Sequence, residues 1–207
     1  MFFIIILTIL VLDCILIVFL RYKEAKNKYL IYTFAIIYVC ALFFIPFFDP
    51  LQLPGFWASV ILQNTDPTLY GFIVGLIVIN CGIYGIHIFL SSVNLLRAER
   101  YKRRLITTGQ FSRRRFPIYV SYHLIGLSYL ILMGSIAGVI LSSLMMVFLF
   151  SDTSRIEKNV LIPKFKDEYH KYQKKVPKRM YSPELIFILI LEYVLFLTGI
   201  IFTYILI

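Results

Sequence analysis

Charged side chains are scarce in this chain: 15% of its 207 residues are Asp, Glu, Lys or Arg, where a soluble domain carries about a quarter. That shortage, with 60% hydrophobic and 17% aromatic residues and a mean hydropathy of +0.84, excludes a soluble enzyme and a disordered tail alike. Cysteine is scarce too. Cys14, Cys40 and Cys81 lie far apart inside apolar runs, with neither the pairing of a disulfide framework nor the spacing of a zinc site. Small apolar side chains in lipid or helix packing account for them. No pair of histidines has metal-ligand spacing, and no Gly-x-x-x-x-Gly-Lys or Gly-x-Gly-x-x-Gly loop occurs. No metal and no phosphate loop is therefore expected.

What the chain has instead is apolar runs long enough to cross the roughly 30 Å of bilayer hydrocarbon. Six windows qualify, near residues 2–20, 30–48, 70–93, 117–133, 136–150 and 184–207. The first lacks the basic start and small-residue cleavage site of a signal peptide and reads as a spanning helix. The fourth and fifth flank Met133-Gly134-Ser135-Ile136-Ala137-Gly138, a small-residue turn that predicts a tight hairpin of two rather short helices. The fold class is thus an all-α polytopic transmembrane bundle of about six spans, a helical hairpin among them.

Basic residues set the orientation, because short loops rich in Lys and Arg stay cytoplasmic. All 21 fall in three segments, 21–28 with four, 97–115 with eight and 155–179 with nine. With six spans these share one face, which places the basic loops in the cytoplasm and both termini outside. The opposite loop, about 49–69, holds Asp49, Asp66, Pro50, Pro54, Pro67 and the single Trp57, with Pro46 just before it, a composition suited to an interfacial, partly re-entrant connection. A net charge of +10 invites a nucleic-acid reading. Beside helix ends, however, each cation gains about 1 kcal/mol from anionic headgroups, so membrane lipids are the expected partner and nucleic acid is not. An anionic ligand held between the second and third basic segments is the sharper alternative.

Asp13, His87, His123 and Glu192 lie within the apolar windows, where an unpaired charge costs at least a few kcal/mol. Each needs a partner. Asp13 and Glu192 read as carboxyls facing the bundle interior, hydrogen-bonded to a neighbouring helix or handling substrate or protons. The two histidines read as packing residues.

The cytoplasmic stretch from Leu105 to Tyr119 carries Leu105, Thr107, Gly109, Phe111, Arg115, Pro117 and Tyr119, and runs into the hairpin. After the hairpin, residues 151–182 carry Glu157, Leu161, Phe165, Tyr169, Tyr172, Val176 and Pro177. This arrangement resembles the integral-membrane methyltransferases of the isoprenylcysteine carboxyl methyltransferase and phospholipid methyltransferase group. Their two blocks read L-[VI]-T-x-G-x-[YF]-x-x-x-R-H-P-x-Y and E-E-x-x-L-x-x-x-F-G-x-x-Y-x-x-Y-x-x-x-V-P, around a helix hairpin. The resemblance spans about residues 70–180. Four departures stand out: Phe116 replaces the histidine of R-H-P, Lys158 the second acid of E-E, Lys166 the glycine after Phe165, and Ser121 a common glycine.

The resemblance implies an N-terminal helix pair and outer loop over 1–69, a methyltransferase-like core over 70–182 and an additional C-terminal helix over 183–207. It implies S-adenosylmethionine as cofactor, bound in a cytoplasmic pocket by Gly109, Arg115, Pro117, Tyr119, Glu157, Tyr169 and Tyr172. Arg115 would take the cofactor carboxylate and Glu157 its ammonium or ribose hydroxyls, with the tyrosines lining the pocket. The acceptor would be a lipophilic small molecule bearing a carboxylate or an amine. Phe116 and Lys158 support an alternative, a non-catalytic methyltransferase-like subunit or lipid-binding protein. A nicotinamide-dependent reductase of related helical architecture is the second alternative.

Overall fold

The computed structural model describes residues 42–53, 69–99 and 104–204, with the separate positions 8, 12, 40 and 56. The spans expected at 2–20 and 30–48, the basic segment 21–28, Asp13, Cys14, Trp57 and Asp66 lie wholly or mostly outside these residues. Among the described residues from 69 onward the α-helices are α1 (Leu69–Glu99), α2 (Pro117–Leu132), α3 (Ile136–Ile156), α4 (Ile162–Lys175) and α5 (Pro183–Tyr204). A π-helical turn, Glu157–Leu161, joins α3 to α4, and short 3-10 turns occupy Ile45–Phe47 and Gly109–Ser112.

Three of the described helices are long and apolar enough to cross a membrane: α1, the continuous run Ile136–Lys175, and α5. In that run the apolar part is α3, since lysines crowd α4. At 16 residues, α2 rises about 24 Å and falls short of the hydrocarbon thickness. Apolar residues cover the outward faces of α1 and α5 as well as the inward ones. Phe72, Leu76, Ile83 and Leu90 of α1 and Phe187, Ile190 and Leu197 of α5 are exposed, while Val78, Ile88, Leu185 and Phe196 are buried. Such all-round apolarity is what a helix between protein and lipid needs. In hydrocarbon the association must come from close packing rather than water release, and α1 meets α2 through small residues. A Cβ on Gly85 would lie 3.0 Å from Ile125 Cγ1 and 3.1 Å from Leu124 Cβ.

The hairpin turns where the sequence predicts. Gly134, at φ +69, sits just past the end of α2, its N–H donating to the Ile131 carbonyl (2.9 Å) and the Ser135 N–H to the Leu130 carbonyl (3.1 Å). This closure is a Schellman motif, which needs a left-handed residue at that place. Ser135 then caps α3 by accepting from the Gly138 N–H at 3.1 Å. The described part of the connection before α1, residues 42–53, folds onto this tip. Asp49 accepts from Ser135 Oγ (2.6 Å) and the Ala137 N–H (2.9 Å), and Gln52 donates to the Pro46 and Met133 carbonyls.

A Cβ on Gly134 would stand 2.7 Å from Phe56 Cβ and 3.2 Å from the Leu53 carbonyl oxygen. Gly134→Ala should therefore cost about 2 kcal/mol, from the left-handed backbone and the overpacking together. Gly126→Ala, with nothing within 4 Å, should be neutral or slightly stabilising. Thermal unfolding in detergent compares the two, and equal melting temperatures would mean the turn closes some other way.

Glu192 is fully buried on α5. It accepts from Ser128 Oγ of α2 at 2.7 Å, while its Oε2 is buried with no hydrogen-bond partner among the described residues. It is the hydrogen-bonded interhelical carboxyl the sequence suggests. His123 packs likewise, its Nδ1 3.0 Å from the Tyr181 hydroxyl, whereas His87 lies exposed on α1.

Candidate functional site

The stretch before α2 and the stretch after α4 lie side by side. The Arg115 N–H donates to the Lys178 carbonyl (3.1 Å) and the Phe116 N–H to the Arg179 carbonyl (2.9 Å). Pro117 follows at the first turn of α2, where its fixed φ suits a helix start and its missing N–H costs nothing. This short backbone pairing brings two sequence-distant groups together.

Arg115 Nε donates to Glu157 Oε1 at 2.6 Å, and its Nη1 to the carbonyls of Val176 (2.7 Å) and Pro177 (2.9 Å). Arg179 Nη2 holds the other oxygen of Glu157 at 2.9 Å, and the Tyr169 hydroxyl donates to Oε1 at 2.7 Å. The acid and the first arginine are almost wholly enclosed, with 3% and 8% of their side chains exposed. Burial pushes the Glu157 carboxyl up. The hydrogen bonds from Arg115 and Tyr169 and the charges of Arg115 and Arg179 outweigh it, so the group stays ionised below the ordinary carboxylate value. Tyr169 is raised well above a free phenol by burial first and by its bond to Glu157 second. Tyr172 is pushed up to about 12, mainly by burial. Both tyrosines are therefore protonated donors at neutral pH. The Tyr172 hydroxyl donates to the Phe111 carbonyl at 2.6 Å, which ties α4 to the 3-10 turn.

In front of this cluster lies a cavity of about 450 Å³. Its walls come from the end of α1 (Val93, Leu96, Arg97, Glu99), from Arg104, Leu105, Ile106, Phe111 and Arg115, and from Leu161, Lys164, Phe165, Tyr169 and Tyr172. The size suits a nucleoside-sized ligand, and the lining is mostly apolar with a few convergent charges, as binding pockets usually are. Of the residues expected to bind the cofactor, Arg115, Tyr169 and Tyr172 line it, and of the other block residues Leu105, Phe111, Leu161 and Phe165 do so too. Glu157 stands behind the wall, bonded to two of those three. Gly109, at φ +58, and Pro117 shape the approach of the loop to α2 and are not in the lining. Tyr119 points to another partner, donating to Asp152 Oδ2 at 3.0 Å.

Sequence reasoning missed three components. Arg179 is one of nine cations in its segment, with nothing to mark it. The charged end of α1 had no motif. The paired Glu99 and Arg104, with Arg104 Nε 2.7 Å from Glu99 Oε2, could have been suspected only from opposite charges five residues apart.

The described chain is a helical membrane protein with an open pocket behind which a buried carboxylate is clamped between two arginines. Over 85 residues, 41% of its length, it is 32% identical to a protein-S-isoprenylcysteine O-methyltransferase of Schizosaccharomyces pombe (strain 972 / ATCC 24843). The match spans 36% of that relative. No family model matches the chain, and no solved structure matches it.

Proposed function

We propose that the chain is an integral-membrane methyltransferase that moves a methyl group from S-adenosylmethionine to a lipophilic acceptor at the cytoplasmic face. The observation that carries this reading is the union of the two sequence blocks: Arg115 of the first and Glu157 and Tyr169 of the second meet within hydrogen-bonding distance, at the back of a pocket. The sequence similarity to an O-methyltransferase supports it.

The residues present fit the cofactor. Phe111 and Phe165 offer flat surfaces for an adenine ring and Arg97 and Lys164 offer cations for a carboxylate, whereas Tyr169 and Tyr172 are buried within the wall and Glu99 and Arg104 are bonded to each other. When bound, the cofactor supplies an activated methyl carbon. The protein's part is then positioning and exclusion of water, the source of most of the rate advantage in a direct displacement. With Nε and Nη1 committed, Arg115 presents a fixed charge to the pocket rather than a free fork. The apolar lining from Val93, Leu96, Leu105 and Ile106 suits an acceptor with a hydrocarbon tail. Nothing in this chemistry requires the histidine that Phe116 replaces, since a carboxylate acceptor is ionised at neutral pH and an amine needs only to lose a proton.

A second reading, a non-catalytic lipid-binding or complex-forming subunit, is favoured by the mutual neutralisation of Arg115 and Glu157 and by Lys158 and Phe116. One assay separates the two. Purified protein in detergent, given methyl-labelled S-adenosylmethionine and a total lipid extract of the host, should yield an organic-soluble labelled product. Cofactor binding without a labelled product would favour the second reading, and no binding would end the methyltransferase proposal.

A further inference from the structure

The outward face of α1 carries a repeat that contact with lipid does not explain. Phe72, Leu76, Ile79, Ile83, Ile86 and Leu90 follow one another in alternating steps of four and three, and all are 36–58% exposed. That is the spacing with which one helix lays an apolar seam against another. Apolar side chains would sit equally well in hydrocarbon. The flanking positions would not: Asn80, His87 and Asn94 succeed one another at intervals of seven along one edge of the seam, and all three are exposed. Asn80 turns its amide back onto the Leu76 carbonyl at 2.8 Å, whereas the His87 ring makes no hydrogen bond or ion pair among the described residues. A polar side chain within an apolar span needs a partner, and in a membrane a neighbouring helix supplies it.

We propose that this face is the docking site of the chain's own apolar segment 2–20, seated so that Asp13 meets His87. The segment lies outside the described residues apart from positions 8 and 12, and the sequence alone supplies its side of the match. Basic residues follow both apolar runs, Arg21 the first and Arg97 that of α1, and mark the same membrane face. Both runs therefore cross in one direction. Asp13 lies eight positions before Arg21 and His87 ten before Arg97, which at helical rise puts them within about 3 Å of one depth. A carboxyl and an imidazole complement each other, and each removes the other's cost of standing alone in hydrocarbon. The second apolar window has its outer end seated elsewhere: the Phe43 ring stacks on Tyr129 of α2 at 5.1 Å, and the Phe43 carbonyl accepts from the Tyr129 hydroxyl at 2.7 Å. A second copy of α1 would offer His87 only another histidine. The seam runs on to Val93 and Arg97, which line the pocket, so the docked segment backs the wall that α1 lends to the site.

The docking stands apart from the methyltransferase reading, and oxidative cross-linking of the full chain in membranes tests it without any ligand. Cys14, Cys40 and Cys81 are first replaced by alanine. Ile17→Cys and Leu90→Cys, one turn beyond Asp13 and His87, should then join within a single chain, read by mass spectrometry of the linked peptides. Ile17→Cys with Ile88→Cys, on the buried face of α1, should give a several-fold lower yield. Asp13→Ala or His87→Ala should each weaken the first link several-fold. The exchange Asp13→His with His87→Asp should restore it, a recovery that general loss of folding would not give. Should the first pair fold poorly, Leu10→Cys with Ile83→Cys reports the same face one turn away. Equal yields for the Leu90 and Ile88 pairs would overturn the docking. Links found only between chains, with Leu90→Cys alone giving a dimer, would assign the face to a second copy and overturn it. No link of either kind would leave the face to lipid and overturn it too.

Discussion

Glu157→Leu should cost about 3–5 kcal/mol, the loss expected when one partner of a buried ion pair is removed and the other is left without compensation. The expectation is large because two guanidinium groups depend on this acid. Arg115, with 8% of its side chain exposed, would keep only two carbonyls as acceptors, and Arg179 would lose its contact at 2.9 Å. The Tyr169 hydroxyl would be stranded as well, since Glu157 Oε1 is its acceptor. Glu157→Gln keeps an oxygen for Tyr169 and the side-chain volume but removes the charge, so it should fall between wild type and Glu157→Leu. The sign of the pH dependence follows from the carboxyl's lowered value in the fold. A group ionised more readily folded than unfolded contributes its full stabilisation above its ordinary pKa of 4.5, and that contribution disappears as the pH falls through the lower folded value. Thermal unfolding in detergent between pH 7 and pH 3 should therefore show a wide gap between wild type and Glu157→Gln at neutrality. The gap should narrow steadily below about pH 4.5. A gap constant over that range would mean that the carboxylate's charge is not what holds the two arginines.

How much of this arrangement can be read from the chain depends on the range of the interaction. Local signals survive translation into structure. Gly134 marks the hairpin because a left-handed turn is a property of a few consecutive residues, and Pro117 marks a helix start for the same reason. Apolar runs give α1 and α5 because burial in lipid asks only for length and composition. The union of Arg115 and Glu157, 42 positions apart, has no such local origin and came into view only because both belonged to patterned blocks. Arg179 had no pattern. Its role arises from the pairing of the 115–116 backbone with the carbonyls at 178–179, which no charge count foretells. Arg114 was equally illegible: it looks like its neighbour Arg113, yet it is 1% exposed while Arg113 faces solvent. Three consecutive arginines thus occupy three different environments, because the chain there is turning between a 3-10 segment and a helix. The strain at Lys166 reads differently again. The backbone of Lys166 takes φ 43 inside α4, which a side chain resists, and nothing in the residue type of a lysine announces it.

The contrast among those arginines leads to the second large effect, on ligand binding. Arg115→Ala should raise the dissociation constant for the proposed cofactor, S-adenosylmethionine, about 100-fold, whereas Arg113→Ala should change it by less than about twofold; 100-fold corresponds to about 2.7 kcal/mol. Arg115 makes three hydrogen bonds, one of them to a carboxylate, and bonds to charged groups are worth about 1.5–3 kcal/mol each when removal leaves the partner buried. The substitution also uncouples the 176–177 backbone from the Glu157 cluster, so the wall that carries Tyr169 and Tyr172 loses its register with the loop at Phe111. Arg113 is exposed and anchors none of this, although both residues would contribute equally to an anionic membrane surface. Arg115→Lys discriminates further. An ammonium keeps the charge but cannot span a carboxylate and two carbonyls with the planar fork of a guanidinium, so it should recover less than half of the lost binding energy. Binding is measured by titration below the melting temperature of each variant, which separates a lost site from a lost fold. Equal weakening by Arg113→Ala and Arg115→Ala would reduce the cluster to headgroup anchoring. Full recovery by Arg115→Lys would mean that the pocket needs only a positive charge at that wall, not the particular geometry that ties the two sequence blocks together.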